Sequence, residues 1–141
     1  HSRFVWKMSK LSVRVYYEDT DSGGVVYYAN YLKYIERGRS EYLRELHFDQ
    51  GQLSRDHSAL FVVRSLQANY LLPAFLDDLI EVHTEIKSVS HVSLTFAQKI
   101  VNIEKNTVLF NAEVKVVSVL KNNFKPCALP QVILEELNGR Q

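Results

Sequence analysis

The chain has 141 residues, 46% of them hydrophobic, which is enough for one core of ordinary size. Its 17 basic and 16 acidic residues leave a net charge of +1, so no bulk positive charge attracts nucleic acid or an anionic membrane. We therefore expect one domain over residues 1–141 and no nucleic acid partner. Because the first residue is His rather than Met, residues 1–10 are set aside as a flexible start or a remnant of cloning or processing.

The cysteine and histidine content restricts the compartment and the chemistry. Cys127 is the single cysteine, which excludes a disulfide within the chain and suits a reducing compartment. The sequence contains neither a signal-peptide apolar stretch nor an apolar run near the ~20 residues of a membrane span. None of the five histidines has a metal-ligand spacing. We expect a cytoplasmic protein that needs neither metal nor another cofactor.

The first third of the chain predicts a strand, a loop and a helix. Leu11 to Tyr17 has the composition of a strand. Apolar residues that recur every three or four positions from Tyr31 to Leu46 predict one face of an amphipathic helix. Asp49–Gly51 interrupts that pattern, and Gln52 to Ser58 is polar enough for a loop or a short helical turn. The loop before the helix, residues 18–30, therefore lies at a helix N-terminus.

The remainder of the chain predicts mainly antiparallel strands with alternating apolar residues. These strands are Leu60–Val63, Ile80–Ile86, Val92–Ala97 and Val108–Val116. Short breaks at Ser88–His91 and Glu104–Asn106 can close hairpins, which gives a meander. Pro73 and Asp77-Asp78 make the stretch from Tyr70 to Leu79 a loop, and a short helix follows Pro130. One helix packed on a curved sheet is an α+β architecture.

The loop before the helix contains a carboxylate and two conformationally flexible glycines. Asp21 and the pair Gly23-Gly24 precede the helix, whose first N–H groups and positive dipole end can bind a developing negative charge. Glycine also lets a substrate approach the backbone closely. Aspartate before a helix and paired glycines are, however, equally ordinary as caps and turns. The loop alone therefore admits both a catalytic and a structural interpretation.

The full motif favours the catalytic interpretation. The motif consists of Arg14-Val15, Thr20-Asp21, Gly24-Val25-Val26 and Tyr31. In residue type and spacing it resembles the signature of the 4-hydroxybenzoyl-CoA thioesterase family of hotdog-fold proteins. The longer stretch from Val13 through Glu41 is similar to the YbgC-type acyl-CoA thioesterases that accompany the Tol-Pal system of Gram-negative bacteria. The resemblance continues to Pro130, and it implies an antiparallel sheet wrapped around one long central helix.

The resemblance also implies a mechanism. Asp21 is the nucleophile or the general base, and the backbone N–H of Tyr28 polarises the thioester carbonyl of an acyl-CoA. A thiol has a pKa of about 8.5 and leaves as thiolate without an acid, so this small set of groups suffices. Further substrate-binding residues implied by the motif are Gly24, Tyr27, Asn30 and Tyr31. Tyr28 departs from the relatives, which usually carry His or Phe there.

Several assignments stay open in the sequence. Glu18 and Asp19 also carry carboxylates, for which solvated charge or a salt bridge to Arg14 or Arg39 is the structural alternative, and Glu36 lies two helical turns further on. Cys127 has no neighbouring base that would make it a nucleophile. Residues that could contact the phosphates of coenzyme A carry no distinguishing motif; they are Arg64, Lys87, Lys99 and Lys121.

The resemblance also implies a substrate and partners for the protein. The family implies a homo-oligomer, dimer or tetramer, with acyl-CoA as substrate and acyl carrier protein as an alternative donor. A function of another class is a noncatalytic acyl-carrier or Tol-Pal-linked interaction module, and the same resemblance allows a cytoplasmic protein that is peripheral to the inner membrane. A hotdog dehydratase is less favoured, because such enzymes generally use a catalytic histidine and residues 18–30 contain none.

Overall fold

A computed structural model of the chain describes residues 7–47, 55 and 58–138. Within these residues the chain forms five strands and two helices, besides a short 3-10 turn at Tyr17–Asp19. In chain order the elements are β1 (Ser9–Arg14), α1 (Asn30–Glu45), β2 (Ala59–Tyr70), β3 (Leu79–Val89), β4 (Ser93–Asn102), β5 (Thr107–Leu120) and α2 (Gln131–Asn138). The helix break predicted at Asp49–Gly51 and most of the loop predicted at Gln52–Ser58 lie outside the described residues.

The strands form one antiparallel sheet in the order β1-β3-β4-β5-β2. β3, β4 and β5 are consecutive neighbours, joined by turns at residues 90–92 and 103–106, so the predicted meander is confirmed. β1 pairs with β3, with Leu11 opposite Val82, and β2 pairs with β5, with Tyr70 opposite Phe110. β1 and β2 are thus the two edges of the sheet.

Helix α1 covers one face of this sheet and packs on β1, β3 and β4. Its buried side chains recur at helical spacing, as the sequence predicts; they are Tyr31, Tyr34, Ile35, Tyr42 and Leu43. Residues of β3 and β4 that face the helix, such as Val82 and Phe96, are also buried. The short helix after Pro130 forms as α2 and buries Ile133 and Leu137. The α+β prediction is confirmed.

All of the predicted strands have different bounds in the structure. The strand predicted at Val92–Ala97 is β4 and runs from Ser93 to Asn102, and β3 and β5 also extend beyond their predicted ends. β1 ends at Arg14 rather than Tyr17, because Val15 exchanges backbone hydrogen bonds with Asp77 and Asp78 of a distant loop and the chain then turns. β2 continues beyond Val63 to Tyr70. Its alternation is broken by a register shift between Val63 and Ser65, and its second half is exposed because it lies at a sheet edge. Periodicity in the sequence therefore detects only its first half.

Candidate active site

The loop that carries Asp21 folds into a miniature hairpin. Thr20 and Val26 form an antiparallel bridge, and the Asp21 N–H donates to the Val25 carbonyl at 2.9 Å. The Gly24 N–H donates to the Asp21 carbonyl at 3.0 Å to close the turn. Gly24 has φ +79°, in the left-handed region that an L-residue adopts only with strain. The glycine is needed for the backbone here, whatever else it does.

A second loop, residues 71–78, fixes this hairpin in place. The Val26 N–H donates to the Ala74 carbonyl at 2.8 Å, and the Leu76 N–H donates to the Gly24 carbonyl at 3.3 Å. The Ala74 N–H in turn donates to the hydroxyl of Tyr31, the first buried residue of α1, at 3.0 Å. The hairpin, the second loop and the start of α1 are therefore one connected backbone unit.

Two aspartates in this unit have different environments. The Asp19 carboxylate accepts the Tyr16 N–H at 2.8 Å, and its carbonyl accepts both the Tyr27 N–H at 3.0 Å and the Asn30 side-chain amide at 2.9 Å. Asp19 is thus a structural cap. Asp21 is exposed, and its Oδ1 accepts the Gly23 N–H at 2.8 Å. Within the described residues its Oδ2 accepts no hydrogen bond, so one oxygen is available for chemistry.

Backbone donors are available where α1 begins. The N–H groups of Asn30, Tyr31 and Leu32 donate to the carbonyls three residues earlier, which satisfies the first turn. The N–H groups of Tyr28 and Ala29 donate to no acceptor in the described part of the chain, and no side chain caps the helix. Unpaired N–H groups at the positive end of a helix can bind an oxyanion. The structure places Tyr28 in the turn before the helix rather than in its first turn.

Aromatic side chains line this end of the sheet. Tyr31 stacks on Phe110 with ring centroids 5.3 Å apart, and Tyr70 meets Phe110 edge-on at 5.0 Å. The Tyr70 hydroxyl donates to the Tyr28 carbonyl at 3.1 Å. Burial raises the pKa of both Tyr31 and Tyr70, so these hydroxyls stay protonated at neutral pH. Tyr70 and Ala74 are site residues that sequence patterns did not indicate.

Tyr27 and Asn30, predicted as substrate-binding, have different contacts. The Tyr27 ring is exposed and its centroid lies 4.9 Å from that of Tyr28, and the neighbouring Tyr28 side chain raises the pKa of Tyr27. The Asn30 side chain is bound to the Asp19 carbonyl. Asn30 therefore holds the loop against the helix, and its contact is with the protein backbone.

A buried polar network lies further along α1. The Gln98 amide donates to the Ile35 carbonyl and to Thr84 Oγ1, both at 2.8 Å, and its oxygen accepts Arg39 at 3.0 Å. Burial lowers the pKa of Arg39. Glu36 accepts the Ser40 hydroxyl at 2.7 Å. A polar residue on the inward face of β4 was the signal in the sequence that could have revealed Gln98.

Other predicted contacts of the charged residues are not formed. Arg14 donates to the Asp77 carbonyl at 2.7 Å and Arg39 to Gln98, so neither makes a salt bridge to Glu18 or Asp19. The structure does not bring together the four candidate phosphate ligands. Lys87 is paired with Glu113 at 2.6 Å on the sheet face opposite α1, where the strand alternation also places Lys99. Arg64 lies at the β2 irregularity and Lys121 beyond β5.

The described residues contain no group of three His, Cys, Asp or Glu side chains arranged to share a metal ion. A helix long and apolar enough to cross a bilayer is likewise absent from the part of the chain that the structure describes.

Comparison with known proteins gives the family. The thioesterase superfamily model, 4HBT, matches residues 23–109. The chain is 53% identical over 124 residues to acyl-CoA thioester hydrolase YbgC of Escherichia coli O6:H1, a match that covers 88% of this chain and 91% of that protein. It is 45% identical to acyl-CoA thioesterase YbgC of Haemophilus influenzae, over 86% of this chain and 88% of the relative.

A solved structure agrees in fold. The probable thioesterase from Bartonella henselae is 35% identical and superposes with a TM-score of 0.82, covering 88% of this chain and all of that one. The predicted hotdog fold, a sheet curved around one long helix, is therefore confirmed together with the family. With a family model over more than half of its length and relatives of 53% and 45% identity, this chain belongs to the 4HBT thioesterase superfamily.

Proposed function

We propose that the protein hydrolyses the thioester of acyl-CoA to a free acid and coenzyme A. One observation carries this proposal. Asp21, which has one carboxylate oxygen without a hydrogen bond in the described residues, and the unpaired N–H groups of Tyr28 and Ala29 belong to one hydrogen-bonded backbone unit. The 53% identity to a protein named acyl-CoA thioester hydrolase supports the substrate class.

The chemistry divides between these groups. Asp21 either attacks the thioester carbonyl carbon or takes a proton from the water that attacks it. The carbonyl oxygen becomes an oxyanion, and the Tyr28 N–H donates to it at the positive end of α1. The carbon–sulfur bond then breaks, and the thiolate of coenzyme A leaves without an acid because of its low pKa. If water attacked, the free acid forms in this step; if Asp21 attacked, water then hydrolyses the acyl–Asp21 anhydride, which releases the acid and restores the carboxylate.

The predicted substrate-binding residues have distinct parts in this proposal. Gly24 gives the hairpin its turn and leaves room for close approach, since nothing lies within 4 Å of the position that its Cβ would occupy. The exposed ring of Tyr27 contacts the bound acyl-CoA. Tyr31 supports the second loop through Ala74, and Asn30 holds the Asp19 carbonyl.

A homo-oligomer also forms part of the proposal. β2 is a 12-residue edge strand with unpaired backbone groups on one side, and Val63 and Tyr70 expose apolar surface there. Such an edge is a template for pairing with a second copy of the chain. The single thiol, Cys127, supports a cytoplasmic location.

The test is thiol release from short-chain, medium-chain, long-chain and aromatic acyl-CoA by wild type, Asp21→Asn and Asp19→Asn. Asp19→Asn is a matched control, because asparagine still accepts the Tyr16 N–H. We expect Asp21→Asn to lose about 10²- to 10⁴-fold in kcat/KM, the contribution of a general base, and the control to keep most activity. Full activity in a folded Asp21→Asn protein would exclude the role of Asp21. Inactive wild type on every acyl-CoA would exclude this substrate class in favour of an acyl carrier protein donor or a noncatalytic module.

A further inference from the structure

The peptide group that joins Tyr28 to Ala29 is held at its carbonyl end by two hydrogen bonds. The Tyr28 carbonyl accepts the Tyr31 N–H at 3.3 Å, from the start of α1, and the Tyr70 hydroxyl at 3.1 Å, from the end of β2. A carbonyl oxygen has two lone pairs, so this acceptor is fully used. The other end of the same peptide group is the Ala29 N–H, which donates to no acceptor in the described part of the chain.

The Tyr70 hydroxyl is presented from a well-packed ring. The Tyr70 ring meets three aromatic rings edge-on, with centroid distances of 5.0 Å to Phe110, 5.4 Å to Tyr31 and 6.2 Å to Tyr28. Its backbone lies opposite Phe110 in the pairing of β2 with β5. Burial raises the pKa of Tyr70, so the hydroxyl keeps the proton that it donates. The sheet therefore positions a donor against a turn 42 residues away in the chain.

Holding the Tyr28 carbonyl has two consequences for the Ala29 N–H. A trans peptide group is planar, and its C=O and N–H point in opposite directions, so fixing one also fixes the other. Hydrogen bonds in a chain polarise one another, so a carbonyl that accepts two makes the N–H of its own peptide group a stronger donor. The Ala29 N–H also lies at the positive end of α1, next in the chain to the Tyr28 N–H.

We propose that Tyr70 is a positioning residue, which acts through the Tyr28 carbonyl to orient and strengthen the Ala29 N–H as a second donor to the oxyanion. The proposal rests on the thioesterase function above and adds a residue to its machinery. Losing a whole oxyanion donor costs about 10²- to 10³-fold in rate. Without the Tyr70 hydroxyl the Tyr28 carbonyl still accepts the Tyr31 N–H, so the donor is loosened and not lost. We therefore expect a smaller cost, about tenfold.

The experiment measures kcat and KM of wild type, Tyr70→Phe and Tyr17→Phe with the acyl-CoA that wild type hydrolyses fastest in the short-chain to aromatic series. Phenylalanine at position 70 keeps the ring and its aromatic contacts and removes only the hydroxyl. Tyr17→Phe is a matched control, because it removes a hydroxyl from an exposed ring outside the site. We expect Tyr70→Phe to lower kcat about tenfold with KM within about twofold, and the control to keep both values. An unchanged kcat, or a change in KM alone, would overturn the proposal.

An infrared measurement separates this role from a merely structural one. Hydrogen bonds to a thioester carbonyl lower its stretching frequency. The probe is the same acyl-CoA with ¹³C at the thioester carbonyl, bound to Asp21→Asn, in which hydrolysis is slow. We expect its carbonyl band at a higher frequency when Tyr70→Phe is added to Asp21→Asn, because the Ala29 N–H then donates less strongly. An identical band in the single and double variants would contradict the proposal.

Failure of the thioesterase function would give a different result. If wild type releases no thiol from any acyl-CoA, that function fails, and nuclear magnetic resonance of the ligand-free protein then decides the role of Tyr70 by itself. The carbonyl ¹³C resonance of Tyr28 and the amide ¹⁵N resonance of Ala29 both respond to hydrogen bonds that this carbonyl accepts. Shifts of both resonances in Tyr70→Phe, absent from Tyr17→Phe, support the proposal, and unchanged resonances reject it.

Discussion

Gly38 of α1 lies directly against Thr84 of β3: a Cβ atom on Gly38 would be only 2.7 Å from Thr84 Oγ1 and 2.8 Å from a methyl carbon of Val82. Thr84 is completely buried and receives a hydrogen bond from Gln98. The missing side chain at position 38 is therefore what lets the helix approach the sheet closely enough for the Gln98 amide to reach the Ile35 carbonyl of α1.

We expect Gly38→Ala to destabilise the protein by about 1–3 kcal/mol, the usual cost of overpacking a core. Alanine improves intrinsic helix propensity by about 1 kcal/mol, so a pure propensity effect would stabilise the fold instead. The sign of the change in unfolding free energy, measured with urea, therefore decides between the two. Arg37→Ala, at the exposed neighbouring position, should change stability by no more than about 0.5 kcal/mol. Stabilisation by Gly38→Ala would contradict the close contact.

The two glycines of the hairpin that carries Asp21 should respond differently to the same substitution. Gly24 has φ +79° and free space around its Cβ position, so Gly24→Ala meets backbone strain of about 1–2 kcal/mol and no clash. A Cβ on Gly23 would lie 3.2 Å from Asp21 Oδ1 and would displace that carboxylate. If Asp21 acts as proposed, Gly23→Ala lowers kcat/KM by about tenfold, since small misplacements of a reacting group are costly.

Stability and activity should therefore separate in this pair. Urea unfolding is expected to detect Gly24→Ala but not Gly23→Ala, whose stability should change by no more than about 0.5 kcal/mol. Thiol release from acyl-CoA is expected to detect Gly23→Ala, and also Gly24→Ala, because the added methyl group takes up the room that Gly24 leaves for the substrate. Equal effects of both substitutions on both measurements would show that the hairpin responds as a whole and not through the Asp21 carboxylate.

The elements nearest the site illustrate what the sequence could predict. The spacing of α1, its buried stripe and the hairpins of β3 to β5 follow from periodicity and turn residues, which are local properties. The position of Asp21 in a turn before the helix followed from the glycine pair and from the resemblance to a family. These predictions needed no knowledge of distant contacts.

Features that depend on partners far apart in the sequence were missed. The hairpin is held by Ala74 and Leu76, and nothing local in either residue indicates that pairing. The second half of β2 has polar residues because it is an edge, and its register shift hides the alternation. Asp19 and Asp21 look alike in sequence, and only the Tyr16 N–H identifies Asp19 as a cap.

The Tyr31 hydroxyl should stabilise the fold because it accepts one buried hydrogen bond. It accepts the Ala74 N–H at 3.0 Å, and both residues are buried. Tyr31→Phe leaves that N–H without a partner, which costs about 1–3 kcal/mol. Tyr17→Phe removes a hydroxyl from an exposed ring and should be neutral within about 0.5 kcal/mol. Equal unfolding free energies for the two variants would mean that the Ala74 N–H finds another acceptor.

Buried tyrosines should also limit stability at alkaline pH. Burial raises the pKa of Tyr31 and of Tyr34, and the nearby Asp19 carboxylate raises that of Tyr34 further. In the unfolded chain both titrate near a pKa of about 10. Above that pH the unfolded chain loses protons that the folded protein retains, so the stability present at neutral pH falls as the pH rises through about 10.

Comparing unfolding free energies at about pH 8 and about pH 11 isolates this effect, because tyrosine ionises between them. Tyr34→Phe removes one retained proton and should lose less stability over this interval than wild type. Tyr17→Phe, which removes an exposed hydroxyl, should lose as much as wild type. Lysine titration contributes equally to all three proteins and cancels in the comparison. If Tyr34→Phe loses as much unfolding free energy as wild type between the two pH values, the Tyr34 hydroxyl is not the group that couples proton release to unfolding.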